Sequence, residues 1–201
     1  MAVDIRTAVT HAEQLIGALL ILARNDRGLS AHEPVDLATA AEDVLDAADT
    51  GNRWVAATLE PAVVCGDPVL VERLIANLVD NAVRYNVAGG QIWISTGCGA
   101  GRSELTVANT GPVVTPADAE RILQPFQRMT DRTSHEGFGL GLAIVSSIAA
   151  IHAGAVTVRP RPTGGLDVKV SMPTADLAVP PSSPTVATQE SATVAGGQPG
   201  K

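Results

Sequence analysis

The segment from Asn77 to Asn86 constrains the fold of this chain more than any other stretch of its sequence. Around it the apolar residues recur at helical spacing and predict a helix with one buried face: Leu70, Leu74, Leu78 and Val79. Asn77 and Asn81 stand four residues apart, so both side chains project from the same face of that helix. Asparagine is a poor helix-interior residue, so two on one face favour a functional site over a surface helix with stray asparagines.

The residues around the end of this predicted helix suit a nucleotide. An amide oxygen is one of the hard oxygen ligands that Mg²⁺ accepts alongside phosphate oxygens. Arg84 can pair with a phosphate, and Tyr85 can lie against a base. Together with the two asparagines, these residues predict a nucleotide site on this helix.

A glycine-rich turn, residues 137–141, runs straight into a second apolar helix predicted over residues 140–151. Glycines let the backbone approach phosphates, and the start of a helix supplies free N–H groups and a favourable dipole. The turn is not the dinucleotide fingerprint, because its third glycine has a different spacing, and no Gly-Lys-Ser/Thr follows to make it a P-loop. Alone, it is equally compatible with a purely structural role.

Four short segments, taken in order, resemble the boxes of a known ATP-binding domain. Residues 77–86 resemble its asparagine box, 107–112 its first glycine box, 124–128 its phenylalanine box and 137–141 its second glycine box. Over residues 34–173 the chain therefore resembles the catalytic domain of bacterial two-component sensor histidine kinases, part of the gyrase, Hsp90, histidine kinase and MutL ATPase superfamily. The resemblance implies ATP and Mg²⁺ as cofactors.

The resemblance implies catalytic roles for Asn77 and Arg84, and it makes Asn81 the Mg²⁺ ligand. Asn77 also belongs to the nucleotide-binding set, and it stands where ATP-hydrolysing relatives carry a catalytic Glu. An amide cannot act as a general base for water, so phosphoryl transfer to another protein is expected rather than hydrolysis. Arg84 matches a basic position near the phosphates, and Tyr85 matches an aromatic residue beside the adenine.

The glycine-rich turn takes the phosphate-binding role in this resemblance. Gly137, Gly139, Leu140 and Gly141 would cradle the phosphates and anchor one end of a mobile lid, residues 129–136. The lid sequence is polar and lacks apolar periodicity, which is typical of a loop. We therefore expect the nucleotide to sit between the helices and beneath this lid.

The first glycine box departs from the family pattern at two positions. Asn109 stands where the family usually carries an Asp that accepts a hydrogen bond from the adenine amino group. Its carbonyl oxygen can accept the same bond if the amide is oriented correctly. Gly111 is retained as a nucleotide-binding residue, whereas Val113 replaces the second glycine and predicts a different backbone geometry. We expect a variant box that still binds ATP.

Residues 1–24 contain the second departure. They predict one helix whose apolar stripe needs a partner surface, whereas the family places its phosphoacceptor histidine on a two-helix dimerisation hairpin. His11 lacks the neighbouring residues of that histidine motif. We expect that the chain does not phosphorylate itself. The acceptor would lie on another segment of a longer kinase or on the partner subunit of a split kinase.

The chain divides into four predicted parts. Residues 1–24 form a partial dimerisation helix, 25–35 a linker, 36–173 the ATP-binding catalytic domain and 174–201 a disordered tail. Within the domain, strands are predicted over residues 53–59, 62–65, 91–96, 104–107, 155–159 and 165–172, and a glycine-rich hairpin connection over 97–101. Helices are predicted to start at Leu37 and Pro68 and to cover residues 116–123 and 140–151.

The order of these elements predicts an α+β fold. It is a two-layer α/β sandwich in which helices cover one mixed sheet and, by the resemblance, frame a Bergerat-type ATP site. A hydrophobic content of 45% with 17% charged residues is ordinary for a globular protein.

Charge and hydropathy limit the partners of the 201-residue chain. Its formal net charge of −7 argues against nucleic acid. The apolar run over residues 15–23 is too short to span a bilayer, so we expect no membrane contact by the chain itself. A cytoplasmic location, as part of a membrane sensor or as its partner, and a response regulator as downstream partner are implied by the resemblance.

Three functions remain open. The favoured one is a module that transfers the γ-phosphoryl group of ATP to a histidine on a dimerisation hairpin. The second is a catalytically degenerate nucleotide-binding or scaffold module, motivated by Asn109, Val113 and the missing histidine motif. The third is an anti-sigma-type protein serine kinase, which shares the fold but lacks the hairpin. The helix end at residues 20–24 argues against that third function.

Overall fold

Helices cover one face of a five-stranded sheet in a computed structural model of the chain, which describes residues 33–122 and 140–175. The strands are β1 (Glu33–Asp36), β2 (Trp54–Leu59), β3 (Val63–Gly66), β4 (Gln91–Gly99), β5 (Arg102–Asn109), β6 (Ala155–Pro160) and β7 (Leu166–Pro173). The helices in these ranges are α1 (Leu37–Ala47), α2 (Pro68–Arg84), α3 (Pro116–Arg121) and α4 (Gly141–Ile151). The predicted α+β sandwich with a mixed sheet is confirmed.

The main sheet has the strand order β2-β4-β5-β7-β6. Strand β2 runs parallel to β4, and the other neighbours are antiparallel. A second, two-stranded sheet pairs β1 antiparallel with β3. The prediction of a linker is therefore wrong for residues 33–35, where a polar and proline-containing stretch forms β1. Pro34 is accommodated because β1 has a neighbour on one side only.

The core lies between the main sheet and the helices. Alternate residues of β4 and β5 are buried against the helices, as the two-residue period of a half-exposed strand requires. The largest apolar side chains in this layer are Ile92, Ile94 and Leu105 from the sheet with Leu74, Leu78 and Ile148 from the helices. This packing places α2 and α4 side by side on the sheet.

Two aspartates begin the first two helices, as their sequence positions predict. The Asp36 carboxylate accepts hydrogen bonds from Ala38 N at 3.0 Å and from Ala62 N at 2.9 Å, so it also ties down the approach to β3. The Asp67 carboxylate accepts from Val69 N at 3.0 Å, and Pro68 occupies the first turn of α2. Both carboxylates satisfy backbone N–H groups that a helix start leaves unpaired.

The β4–β5 connection is shorter than the sequence predicts. Residues 97–99 belong to β4, and the turn consists of Ala100 and Gly101, with φ angles of 51° and 73°. Two successive positive φ angles are typical of the tight turn that matches the twist of a hairpin. The predicted hairpin is confirmed, but its connection is shorter than residues 97–101, because Gly97 and Gly99 lie within β4.

The fold also extends past the predicted domain end. Thr174 N donates to Gly101 O at 3.1 Å, and Ala175 N donates to Val63 O at 2.9 Å, so these two residues of the predicted tail are hydrogen-bonded to the domain. The predictions for residues 1–24, 124–128, 129–136 and 176–201 lie outside the described residues. Among the helices in the described ranges, none has the length and hydropathy needed to cross a membrane.

Candidate nucleotide site

Asn81 and Gly141 meet where the end of α2 faces the start of α4. A methyl group added at Gly141 would lie 2.8 Å from Asn81 Nδ2 and 3.3 Å from Asn81 Oδ1. The other ends of the two helices are joined by His152, whose Nε2 accepts from Asp67 N at 3.2 Å. The helices therefore run antiparallel, and they bring together the asparagine helix and the second glycine-rich turn that the sequence singles out.

The Asn81 side chain has one buried polar atom without a partner in the described part of the chain. Its Nδ2 atom is buried, and it has no hydrogen-bond partner among the described residues. Leaving a buried amide unpaired costs about 1–3 kcal/mol, which is typical of a site where a ligand supplies the partner. An Asn amide can offer its N–H groups to phosphate oxygens and its oxygen to Mg²⁺, so this residue fits both groups.

The N-cap residue of α4 offers its helix no side-chain cap. Leu140 occupies the N-cap position without a side-chain hydrogen bond to the helix, so the first N–H groups of this 11-residue helix carry no side-chain cap. The Leu140 side chain is buried in the core. A phosphate contact at Leu140 would therefore use its backbone N–H. Gly137 and Gly139, the other predicted residues of this turn, lie outside the described residues.

Asn77 and Arg84 flank Asn81 on α2. The Asn77 Nδ2 donates to Arg73 O at 2.7 Å within the helix, which leaves its Oδ1 as the end that can meet a ligand. Arg84 lies in the last turn of α2. Burial raises the pKa of the Asp80 carboxyl above its usual value. The positive charge of Arg84 partly offsets this by lowering the same pKa.

Tyr85 connects the end of α2 to the first glycine box. Its backbone N–H donates to Asn81 O at 3.0 Å, and it forms the C-cap of the helix. The Tyr85 carbonyl oxygen lies so close to Gly111 that a methyl group there would approach it to 2.7 Å. This close approach, and not the backbone conformation, requires glycine at position 111. The φ angle of Gly111 lies outside the left-handed region.

Asn109 ends β5 and is 6% exposed. Its Nδ2 donates to Thr110 O at 2.7 Å, so the amide nitrogen is committed to the backbone. Val113 is 76% exposed and keeps a negative φ, so the exchange of the second glycine for valine introduces no left-handed strain.

The β6–β7 hairpin also packs against the first glycine box. Gly165, at the tip of the β6–β7 hairpin, donates its N–H to Pro112 O at 2.8 Å. Gly164 and Gly165 have φ angles of +94° and +93°, and added methyl groups would collide with the backbone of residues 109–111. Arg161 steadies the hairpin through a 2.6 Å ion pair with Asp167.

Sequence reasoning missed two contacts of this region. Thr110 donates to Asn86 across 24 positions of sequence, and His152 reaches Asp67 across 85. His152 is 5% exposed. Its Nε2 accepts a hydrogen bond from Asp67 N, so its Nδ1 carries the ring hydrogen that faces Ile148 O at 2.8 Å. No local pattern marks either pair, since the partners belong to separate elements.

This arrangement, a helix pair and a glycine box at the end of a mixed sheet, defines an α+β nucleotide-binding domain. The family model described as "Histidine kinase-, DNA gyrase B-, and HSP90-like ATPase" matches residues 66–176, and the chain belongs to this family. The family identifies ATP as the nucleotide of the site.

Sensor kinases are similar to this chain in both sequence and structure. Sensor protein CutS of Streptomyces coelicolor is 44% identical over 170 residues, which cover 81% of this chain and 41% of CutS. Sensor protein kinase PmrB of Pseudomonas aeruginosa is 35% identical over 177 residues, which cover 85% of this chain and 37% of PmrB. The structure of mycobacterial sensor histidine kinase MprB superposes with a TM-score of 0.64 at 27% identity, over 71% of this chain and 97% of that one. The chain thus spans less than half the length of the curated relatives.

Proposed function

We propose that this chain is the ATP-binding catalytic module of a two-component sensor histidine kinase. It would transfer the γ-phosphoryl group of ATP to a histidine on a dimerisation hairpin. One observation carries the proposal: the buried Asn81 Nδ2 has no hydrogen-bond partner among the described residues and lies against Gly141, at the start of α4. A nucleotide phosphate would accept hydrogen bonds from both the Asn81 amide nitrogen and the helix start.

In this proposal the described residues would supply most parts of an ATP site. Asn81 and Asn77 would offer amide oxygens toward Mg²⁺, which neutralises phosphate charge when bound. Backbone N–H groups at Leu140 and Gly141 would bind phosphate oxygens, and Arg84 would pair with a phosphate. The remaining members of the proposed set would lie beside the base: Tyr85, Asn109 and Gly111. Gly137 and Gly139 would extend the phosphate contacts.

Transfer is favoured over hydrolysis because of Asn77. Its amide has no proton affinity for activating water, and its nitrogen already donates to Arg73 O. In the proposed reaction the bond from the γ-phosphorus to the β–γ bridging oxygen breaks, and a phosphorus–nitrogen bond forms to a neutral imidazole. ADP leaves with the bridging oxygen, and the imidazole loses its N–H proton to solvent. The work of the module is positioning and charge neutralisation.

The acceptor histidine is not His152. That residue is the one histidine within the described ranges, and its two ring nitrogens are engaged by Ile148 O and Asp67 N. We propose that the acceptor lies on a dimerisation hairpin, to which residues 1–24 would contribute a helix, and that a response regulator receives the phosphoryl group from it. Because ATP is the phosphoryl donor, the reaction would take place in the cytoplasm.

A labelled-phosphate assay tests this function. The chain is incubated with γ-labelled ATP and Mg²⁺, first alone and then with a separately expressed histidine-bearing hairpin of a related sensor kinase. We expect acid-labile label on the hairpin and none when the Asn81→Ala variant replaces the wild-type chain. ATP binding without transfer would point to the degenerate module, and acid-stable phosphoserine on a partner would point to a serine kinase.

A further inference from the structure

We propose that Thr110 and Asn86 are positioning residues that hold the Asn109 amide with its oxygen toward the purine. The site would thereby prefer adenine to guanine nucleotides. This inference rests on the proposed function, because it concerns the base end of the same nucleotide site. It is specific to a chain with Asn at position 109, since an amide, unlike a carboxylate, can present either a donor or an acceptor.

Thr110 follows β5 and is held by hydrogen bonds to Gln91 and Asn86, with Gln91 O at 3.3 Å as a second, more distant acceptor for its hydroxyl. Its backbone N–H donates to Gln91 O at 3.0 Å, and its hydroxyl accepts from Gln91 N at 2.7 Å. The same hydroxyl donates to Asn86 Oδ1 at 2.5 Å. The Thr110 hydroxyl thus donates one hydrogen bond and accepts another, and the two bonds together fix the position of the Thr110 backbone.

Asn86 completes the network from the segment that follows α2. Its Nδ2 donates to Gln91 O at 3.1 Å, and its Oδ1 accepts from Val87 N at 2.9 Å as well as from Thr110. Gly90 leaves the necessary room, because an added methyl group would collide with both the Asn86 Oδ1 and the Thr110 Oγ1. A network with these bonds satisfied holds a single arrangement better than isolated bonds do.

The network acts on the purine through Asn109. The Thr110 carbonyl accepts the Asn109 Nδ2 at 2.7 Å, so the amide oxygen is the end left for a base. Adenine carries an amino group at C6, which donates to such an oxygen, whereas guanine carries a carbonyl there. An oxygen facing an oxygen leaves both acceptors unpaired, so guanine is disfavoured. If Thr110 moves, the amide can turn and that discrimination is lost.

The test measures ATP and GTP affinities of the full chain by titration calorimetry in the presence of Mg²⁺. Thr110→Val keeps the shape of the side chain and removes the hydroxyl. We expect about a tenfold loss of ATP affinity and a lower ATP-to-GTP affinity ratio. Thr110→Ser, which keeps the hydroxyl, should restore the ratio. Thr157→Val, on the exposed side of β6, is the matched control. It should leave the ATP-to-GTP affinity ratio unchanged.

A second variant and a nucleotide-free readout keep the test decisive. Asn86→Ala removes the acceptor of the Thr110 hydroxyl, so it should lower the ratio as well. Without nucleotide, the Gln91 amide should exchange faster in Thr110→Val than in the wild type, because it loses its acceptor. An unchanged affinity ratio in folded Thr110→Val, with ATP bound by the wild type, would overturn this inference alone. A wild-type chain that binds neither nucleotide would overturn the proposed function with it.

Discussion

A substitution at Gly141 can separate an effect on nucleotide binding from an effect on the stability of the fold. A methyl group at this position would crowd the Asn81 amide, at 2.8 Å from Nδ2, and displace it from the proposed phosphate position. The same methyl group favours the helical conformation at the start of α4 by up to about 1 kcal/mol relative to glycine. We predict that Gly141→Ala lowers Mg-ATP affinity about tenfold, measured by calorimetry, without lowering the free energy of unfolding.

Gly99→Ala is the matched control for this substitution. Gly99 has a negative φ, and nothing lies within 4 Å of a methyl group added there. The Gly99→Ala variant should therefore bind ATP with the affinity of the wild type. If Gly141→Ala bound ATP with wild-type affinity, the Asn81–Gly141 contact would not belong to the nucleotide site.

At the residue scale, the sequence predicted those features that residue type alone decides. Asp36 and Asp67 begin helices as expected, because a carboxylate at a helix start satisfies backbone N–H groups wherever the helix lies. Asn81 stood out because asparagine is unfavourable within a helix. Thr110 and His152 could not be identified, since their partners are set by how separate elements meet.

Helices α2 and α4 depend on His152 for their alignment. The ring joins Asp67 at the start of α2 to Ile148 near the end of α4. We predict that His152→Ala lowers the free energy of unfolding by about 2–4 kcal/mol in urea denaturation, because it leaves the Asp67 N–H unpaired and opens a cavity.

Gly66 provides a double-mutant test of the same contact. A methyl group at Gly66 would collide with the His152 ring, so Gly66→Ala should destabilise the wild type by about 1–3 kcal/mol. In the His152→Ala background the ring is absent and this cost should disappear. Additive losses in the double variant would show that the two residues are not coupled.

The end of α4 carries an alanine in a conformation that suits glycine. Ala153 has a φ of 52°, and the following Gly154 N donates to Ala149 O at 2.7 Å, which closes the helix in a Schellman arrangement. We predict that Ala153→Gly raises the free energy of unfolding by about 1 kcal/mol. Ala150→Gly, on the exposed side of the same helix, should lower it by about 0.5–1 kcal/mol. A loss in both variants would contradict this account of the helix end.

At the element scale, the sequence predicted the strands and helices of the described domain but not all their limits. Strands β4 and β5 are longer than the ranges predicted from the alternation of apolar residues. Their pairing continues through Gly97 and Cys98 to the tight turn. Strand β1 was missed, since four residues paired to a distant strand carry no periodic signal of their own.

At the scale of the whole molecule, the resemblance correctly predicted a mixed sheet covered by helices. The strand order and the parallel pairing of β2 with β4 do not follow from local pattern, because they depend on which elements meet after long separations. The same long-range assembly creates the site. The end of α2, the start of α4 and the end of β5 contribute Asn81, Gly141 and Asn109 to one end of the fold.

The most direct test of this account is a calorimetric titration of ATP into the full chain, with Mg²⁺ and again with Mg²⁺ chelated. Wild type, Asn81→Ala and the exposed control Asn52→Ala are compared. We predict Mg²⁺-dependent binding by the wild type and by Asn52→Ala, and a loss of at least about tenfold in a fully folded Asn81→Ala variant. Equal affinity in Asn81→Ala, or no binding of ATP by the wild type, would contradict a nucleotide site built around the unpaired Asn81 amide.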